Sequence, residues 1–242
     1  MIPKEMHLYC CQTSSRKSLA RMRAHGFRLL YTASPGASIT LKPGFMYGID
    51  NGAWWAYQNK RDWDPDLFLR AVDRIGGNAD WVVVPDMVGD WARTAELAER
   101  WIPQLGGLPL LVAVQDGARE EDVGRLCAGR HGIFLGGSTD YKEQNAEQWG
   151  RFAHRHGIHY HIGRVNTARR LYLARAAGAH SVDGSSATRF SITAEKIRHW
   201  ERQQPIDFAE AEIAEKLTTM VEDAEEIGQI DRVTFRGKNE AE

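Results

Sequence analysis

Cysteine is scarce in this chain of 242 residues: three in all, Cys10, Cys11 and Cys127. That excludes a disulfide framework, and no Cys-x-x-Cys pair offers a thiolate metal clamp. Cys10 and Cys11 are neighbours on an expected strand, so their side chains leave opposite faces. A reduced, cytoplasmic setting is the expectation. Long apolar runs are missing as well. Nothing approaches the roughly 18 residues that a membrane-spanning helix requires, and the polar N-terminus has no signal-peptide core. Charge of one sign is absent: 31 Lys and Arg against 32 Asp and Glu leave a formal net charge of -1. A global attraction to nucleic acid or acidic membrane is thereby excluded, and any polyanion contact must come from a local patch. Internal repeats and low-complexity segments are lacking too.

What is present is a regular alternation of strand and helix signals. Short apolar runs predict strands over 6–11, 27–33, 45–49, 81–85, 109–114, 132–136, 158–163 and 180–183. Helical spacing fills most of the gaps: Ser14 to His25, a segment opening at Asp64-Pro65 and closing at Gly76-Gly77, Trp91 to Leu105, Glu120 to Gly129, Tyr141 to His156 and Thr167 to Gly178. The connection from Tyr31 to Gly44 carries Ser34-Pro35-Gly36 and Lys42-Pro43-Gly44, which is loop chemistry. Eight strands with intervening helices predict an α/β fold, a closed (β/α)8 TIM barrel over residues 1–204, with an open doubly wound sheet as the alternative. Residues 205–242, acidic from Glu210 to Glu226, are expected to form a C-terminal helical extension and tail.

Five apolar runs break at polar groups where parallel strands end, namely Asp50, Asp86, Gln115, Gly136 and Asp183. In an α/β barrel that rim is the active-site face. Asp183 precedes Gly184-Ser185-Ser186, a small-residue loop that leaves its carboxylate room to approach a substrate carbon. A carboxylate there captures an oxocarbenium-like anomeric centre as a glycosyl ester, or caps the following helix. Asp50 is a candidate partner acid and base, although Asp-Asn-Gly is also turn chemistry. Asp86 suits the N1–H and amino group of a guanine-like base. Gln115 offers both donor and acceptor to a heterocycle edge, and Gly136-Gly137 lets backbone amides approach a ligand.

The order and spacing of these groups resemble the tRNA-guanine transglycosylase superfamily, most closely its deazapurine DNA-modification (DpdA-like) branch. The resemblance spans about Phe45 to Phe190, and its most specific part is the run from Tyr160 to Arg189, YHIGRVNTARRLYLARAAGAHSVDGSSATR. It implies Asp183 as nucleophile and Asp50 as general acid/base. It also implies Asp86, Gln115 and the Gly137 amide as readers of the purine edge, Trp54 stacked on the base and Ile162 covering its other face. The tRNA enzymes carry a cysteine-rich zinc site after the nucleophile strand, whereas no cysteine follows Cys127 here. Their double-glycine motif also continues with a further glycine and a glutamate, where this chain has Ser138-Thr139-Asp140. Both departures fit the DNA branch without a zinc subdomain.

The implied reaction exchanges guanine in DNA for a 7-deazaguanine such as 7-cyano-7-deazaguanine, through an aspartyl–nucleoside ester, with no metal, ATP or redox cofactor. DNA is the first expected polymer and tRNA the second; a homodimer or accessory DNA-modification proteins are left open. Arg164, Arg189 and Lys142 are candidates to grip the phosphate backbone. His161 is a candidate to position substrate or to satisfy a core hydrogen bond. His159 and His161 face the same way on one strand, the pattern of a metal-dependent barrel hydrolase, which needs further ligands on other strands. Such a hydrolase, a base-excising glycosidase and a non-catalytic nucleotide-binding barrel are the alternatives.

Overall fold

Period-two alternation along short apolar strands decides which side chains share a barrel interior and which meet the helices outside. The computed structural model describes residues 6–184, and in it the strands β1 (His7–Cys11), β2 (Arg28–Thr32), β3 (Tyr47–Asp50), β4 (Trp81–Val83), β5 (Leu110–Val114), β6 (Gly132–Leu135), β7 (Tyr160–Ile162) and β8 (Ser181–Gly184) are all parallel and close into a barrel in chain order. Closure comes from β1 against β8, with His7 opposite Ser181 and Tyr9 opposite Asp183. Every expected strand forms. The expectation is corrected only at the ends: β3 includes Asp50, β4 stops at Val83 and β7 shrinks to three residues.

The outward faces build the main core. Leu29, Ile49, Val82, Val112, Ile133, Ile162 and Val182 pack with Phe68, Val123, Phe152 and Leu171 of the surrounding helices. The inward faces form a second cluster of Tyr9, Leu30, Trp81, Val83, Leu111 and Ala113, with Phe134 packed against it. β5 (LLVAV) therefore contributes apolar side chains to both clusters and is buried throughout, as a parallel strand covered on two sides should be.

The helices are α1 (Arg16–Ala24), α2 (Ala53–Gln58), α3 (Pro65–Ile75), α4 (Trp91–Trp101), α5 (Glu120–Cys127), α6 (Thr139–His156) and α7 (Ala168–Ala176). Their starts follow local chemistry. Asp64 accepts from the Asp66 and Leu67 amides ahead of Pro65, Asp90 from Arg93, Ser138 from Tyr141 and Thr167 from Arg170. β2 runs to β3 without a helix, as the Pro-Gly pairs require. The short helix α2 follows directly on the expected Asp-Asn-Gly turn. Its start depends on Gly52, whose φ is +84° and whose Cα lies so close to β2 that an added Cβ would stand 1.9 Å from the Ala33 carbonyl oxygen. No other residue fits there. The expected C-terminal extension, 205–242, lies outside the described residues. Among the described residues no helix is long and apolar enough to cross a membrane.

Gly52→Ala is therefore expected to destabilise the protein by more than about 3 kcal/mol, because the backbone carbonyl cannot move aside. Gly129→Ala, at φ +69° with nothing within 4 Å, should lose only about 1 kcal/mol. Thermal unfolding of the two variants checks the difference.

Candidate active site

All five strand-end groups do fall on one rim, because parallel strands deliver their C-terminal ends to the same side. Asp50 closes β3, and its Oδ1 accepts from the Gly52 amide at 2.7 Å. Asn51 accepts from the Ala53 amide at 2.8 Å, so the Asp-Asn-Gly run is both a turn and the entrance to α2. Asp183 ends the interior face of β8. Its Oδ1 accepts from the Arg164 amide (3.1 Å), and its Oδ2 lies 3.1 Å from His161 Nε2. Asp183 is 8% exposed. A carboxylate has about four acceptor sites, so two such contacts leave lone pairs facing the mouth.

Asp86 is held on both oxygens, by Asn51 Nδ2 on Oδ1 (2.7 Å) and by Gln115 Nε2 on Oδ2. Asn51 also donates to the Val84 carbonyl (2.8 Å) and accepts Trp63 Nε1–H on its own carbonyl (2.8 Å). This buried asparagine ties β3, β4 and α2 together, and only its turn chemistry had marked it in the sequence. Gln115 completes the row by accepting the Gly89 amide at 2.9 Å. Glycine at 136 is what admits that side chain: a Cβ there would lie 2.6 Å from Gln115 Nε2. Asp116, which the sequence reading passed over, accepts from the Ser138 amide (2.8 Å) and hydroxyl (2.6 Å) and fixes the loop after β6.

The environments of the carboxylates differ. Burial pushes the Asp50 carboxyl up from 3.8 to about 7; the Gly52 amide opposes this, while the charges of Asp183 and Asp86 reinforce it. Burial also raises Asp86, to about 6, against the hydrogen bonds from Asn51 and Gln115 and the nearby charge of Arg164. Both side chains keep some surface open to the mouth, so solvent moderates these effects. Like charges converging at one mouth favour retention of a proton on one of them. Asp50 is raised further than Asp86.

Several expected contacts fall elsewhere. Arg164, at φ +60°, turns inward: its guanidinium lies 3.8 Å above the Trp54 ring and donates to the Gly137 carbonyl. Trp54 is at the mouth as expected, stacked also on Tyr57 at 5.5 Å. Ile162 does not face the mouth; strand alternation turns it to the helices, since His161 takes the interior position. Lys142 is not free for phosphate. It is 4% exposed and donates to the Gly163 carbonyl at 2.6 Å, and burial, with Arg164 nearby, lowers it to about 7. His161 is fully buried below Asp183, with its ring nitrogens on Ser181 and Asp183, which is the core hydrogen bond, one of the two roles expected of it. Arg189 lies outside the described residues.

His159 and His161 both point inward, and Ser181 Oγ lies 2.7 Å from each. Among the described residues no group of three or more His, Cys, Asp or Glu is arranged to hold a metal ion. A cavity of about 430 Å³ beside Gly52, Trp55 and Trp63 is lined by none of the three carboxylates. No family model matches the chain, and no curated protein matches it.

A carboxyl whose folded pKa is raised contributes its stability below its unfolded pKa and loses it as pH climbs through the folded value. For Asp50 that window runs from about 4 to 7. Asp50→Asn is thus expected to leave stability unchanged near pH 4 and to raise it at pH 8 by on the order of 2 kcal/mol, allowing for solvent at the mouth. Melting temperatures of both proteins across this range test the sign.

Proposed function

We propose that this chain is a base-exchanging transglycosylase of the kind its strand-end residues resemble, acting on guanine in a polynucleotide, with DNA as the preferred polymer and the cytoplasm as its setting. The observation that carries the reading is the placement of two carboxyl groups on one rim, Asp50 at the end of β3, where burial raises its pKa, and Asp183 at the end of β8. One is fitted to give and take a proton and the other to bond to carbon.

In this reading an Asp183 oxygen attacks C1′ as the C1′–N9 bond breaks, giving an aspartyl–nucleoside ester. Asp50 passes its proton to the departing guanine. The incoming 7-deazaguanine returns a proton to Asp50, and its ring nitrogen displaces Asp183 from C1′. Atoms and charge balance without an oxidant or a nucleotide triphosphate. Asp86 and Gln115 face the Watson–Crick edge, where the remaining Asp86 lone pairs suit the N1–H and amino donors of guanine. Trp54 is the stacking platform. Since the Arg164 guanidinium lies on that ring face, base entry requires it to leave, and the backbone phosphate is an apt place for it to go. A target in duplex has to be flipped out to reach this rim.

Incubation with radiolabelled guanine or 7-cyano-7-deazaguanine and either DNA or tRNA tests the proposal. Label is expected in DNA, and Asp183→Asn should abolish it. Label in tRNA alone keeps the chemistry and changes the polymer; label in neither polymer, with the fold intact, rejects the reading. Trp54→Ala is expected to raise KM for the free base about 10-fold, the loss of one stacking contact, in steady-state exchange assays.

A further inference from the structure

Below the mouth, a column of polar side chains runs down the inside of the barrel, past the apolar cluster of Leu30, Trp81, Val83, Leu111 and Ala113. It begins at Asp183 Oδ2, 3.1 Å from His161 Nε2. His161 Nδ1 is 2.7 Å from Ser181 Oγ, and that hydroxyl is 2.7 Å from His159 Nε2. The His161 ring has no room to turn: it stacks on Phe134 (4.8 Å, 16°), lies against Trp81 at 4.7 Å and meets the edge of Tyr9 at 5.8 Å. It is fully buried.

Two polarities of the column place the one Ser181 hydroxyl hydrogen between the two imidazoles. In the first, His159 Nε2–H donates to Ser181, the Ser181 hydroxyl donates to His161 Nδ1, and His161 Nε2–H donates to an ionised Asp183. In the second every arrow reverses, and Asp183 must carry a proton to donate to His161. A serine hydroxyl has two acceptor sites, so both imidazoles can also donate to Ser181, but His161 Nε2 then carries no hydrogen and Asp183 must again be protonated; the remaining arrangements put two lone pairs or two hydrogens face to face, or place an imidazolium in the barrel. Burial opposes that charge: it lowers both histidines, His159 to about 3, and for His161 it prevails over the favourable contact with Asp183. A nucleophile has to be the ionised acceptor, so the first polarity is the productive one.

We propose that His161 is the positioning residue of Asp183, with its Nε2–H tautomer imposed by the Ser181 hydroxyl and backed by His159. This inference rests on the base-exchange reading, in which Asp183 is the nucleophile. The column then holds one carboxylate oxygen from below while the Arg164 amide holds the other, leaving the carboxylate one orientation from which to meet C1′. Preorganisation of this kind acts on the chemical step more than on binding.

Two measurements separate this inference from the reading beneath it. Nitrogen-15 NMR of the ring nitrogens of wild type is expected to show His161 as the neutral Nε2–H tautomer, and Ser181→Ala to release it into a mixture. A Nδ1–H tautomer in wild type would overturn the column's polarity whether or not the protein exchanges bases. In the exchange assay, His161→Leu should lower kcat about 100-fold with KM within about twofold, the scale of a lost orienting contact. His161→Gln, whose amide can donate from nearly the same place, should recover most of it. Folded His161→Leu with wild-type kcat, or loss in both variants alike, would overturn the positioning role. No exchange by wild type would instead reject the base-exchange reading and leave the tautomer to decide the column.

Discussion

The pairing of β1 with β8 is the contact on which the remaining architecture depends. It joins strands more than 170 residues apart and sets Tyr9 against Asp183 and His7 against Ser181. Closure removes both sheet edges and makes each strand's inner face part of one enclosed interior. That enclosure is why polar residues on β1, β7 and β8 meet one another. Without it, Asp183 would end an edge strand in water; within it, the same carboxylate stands above a dry column of imidazole and hydroxyl.

The interior divides along the barrel axis. At the N-terminal end Arg28 is held by Asp80 (2.9 Å) and His7 (3.0 Å), with the Tyr9 hydroxyl also on Asp80 (2.7 Å). Burial and the Asp80 contact raise the Tyr9 phenol beyond its ordinary range. Aromatic packing of Tyr9, Trp81 and Phe134 around His161 fills the middle. Carboxylates occupy the open end. The lower charge network is paired and structural; the upper one gathers three acids, and there burial raises Asp50 and Asp86, with the charges of Asp183 and Asp86 adding to the effect on Asp50. Perturbed acids gathered in one place mark a candidate site.

Rigidity and mobility are also divided. Asn51 and Gln115 are tied to backbone on neighbouring strands and loops, so the Asp86 carboxylate they hold is placed by the barrel itself, and Asp116 in turn holds the Ser138 loop. Arg164 is different. It reaches its position over Trp54 through a left-handed backbone conformation and a single guanidinium contact to the Gly137 carbonyl. In the base-exchange reading proposed above, that cation has to leave the ring before a base can stack there.

Strand and helix order was legible in the chain because each signal is local: alternating apolar runs, Asp and Ser caps, Pro and Gly breaks. From that order alone followed the common rim of Asp50, Asp86, Gln115, Gly136 and Asp183, since parallel strands all end on one side. What distant contacts decide was not legible. The burial of Lys142 depends on a carbonyl 21 residues away, at Gly163, and the inward turn of Arg164 on Trp54, far earlier in the chain. Ile162 was assigned to the mouth although its neighbours His159 and His161 share the opposite face; apolar residues line both sides of these strands, so hydrophobicity alone does not tell inside from outside. The sequence by itself determined the strands, their direction and the chemistry at their ends. Only closure of the barrel decided which of those groups lose water, which hold a proton and which touch, because desolvation and hydrogen bonding arise between residues that the chain keeps far apart.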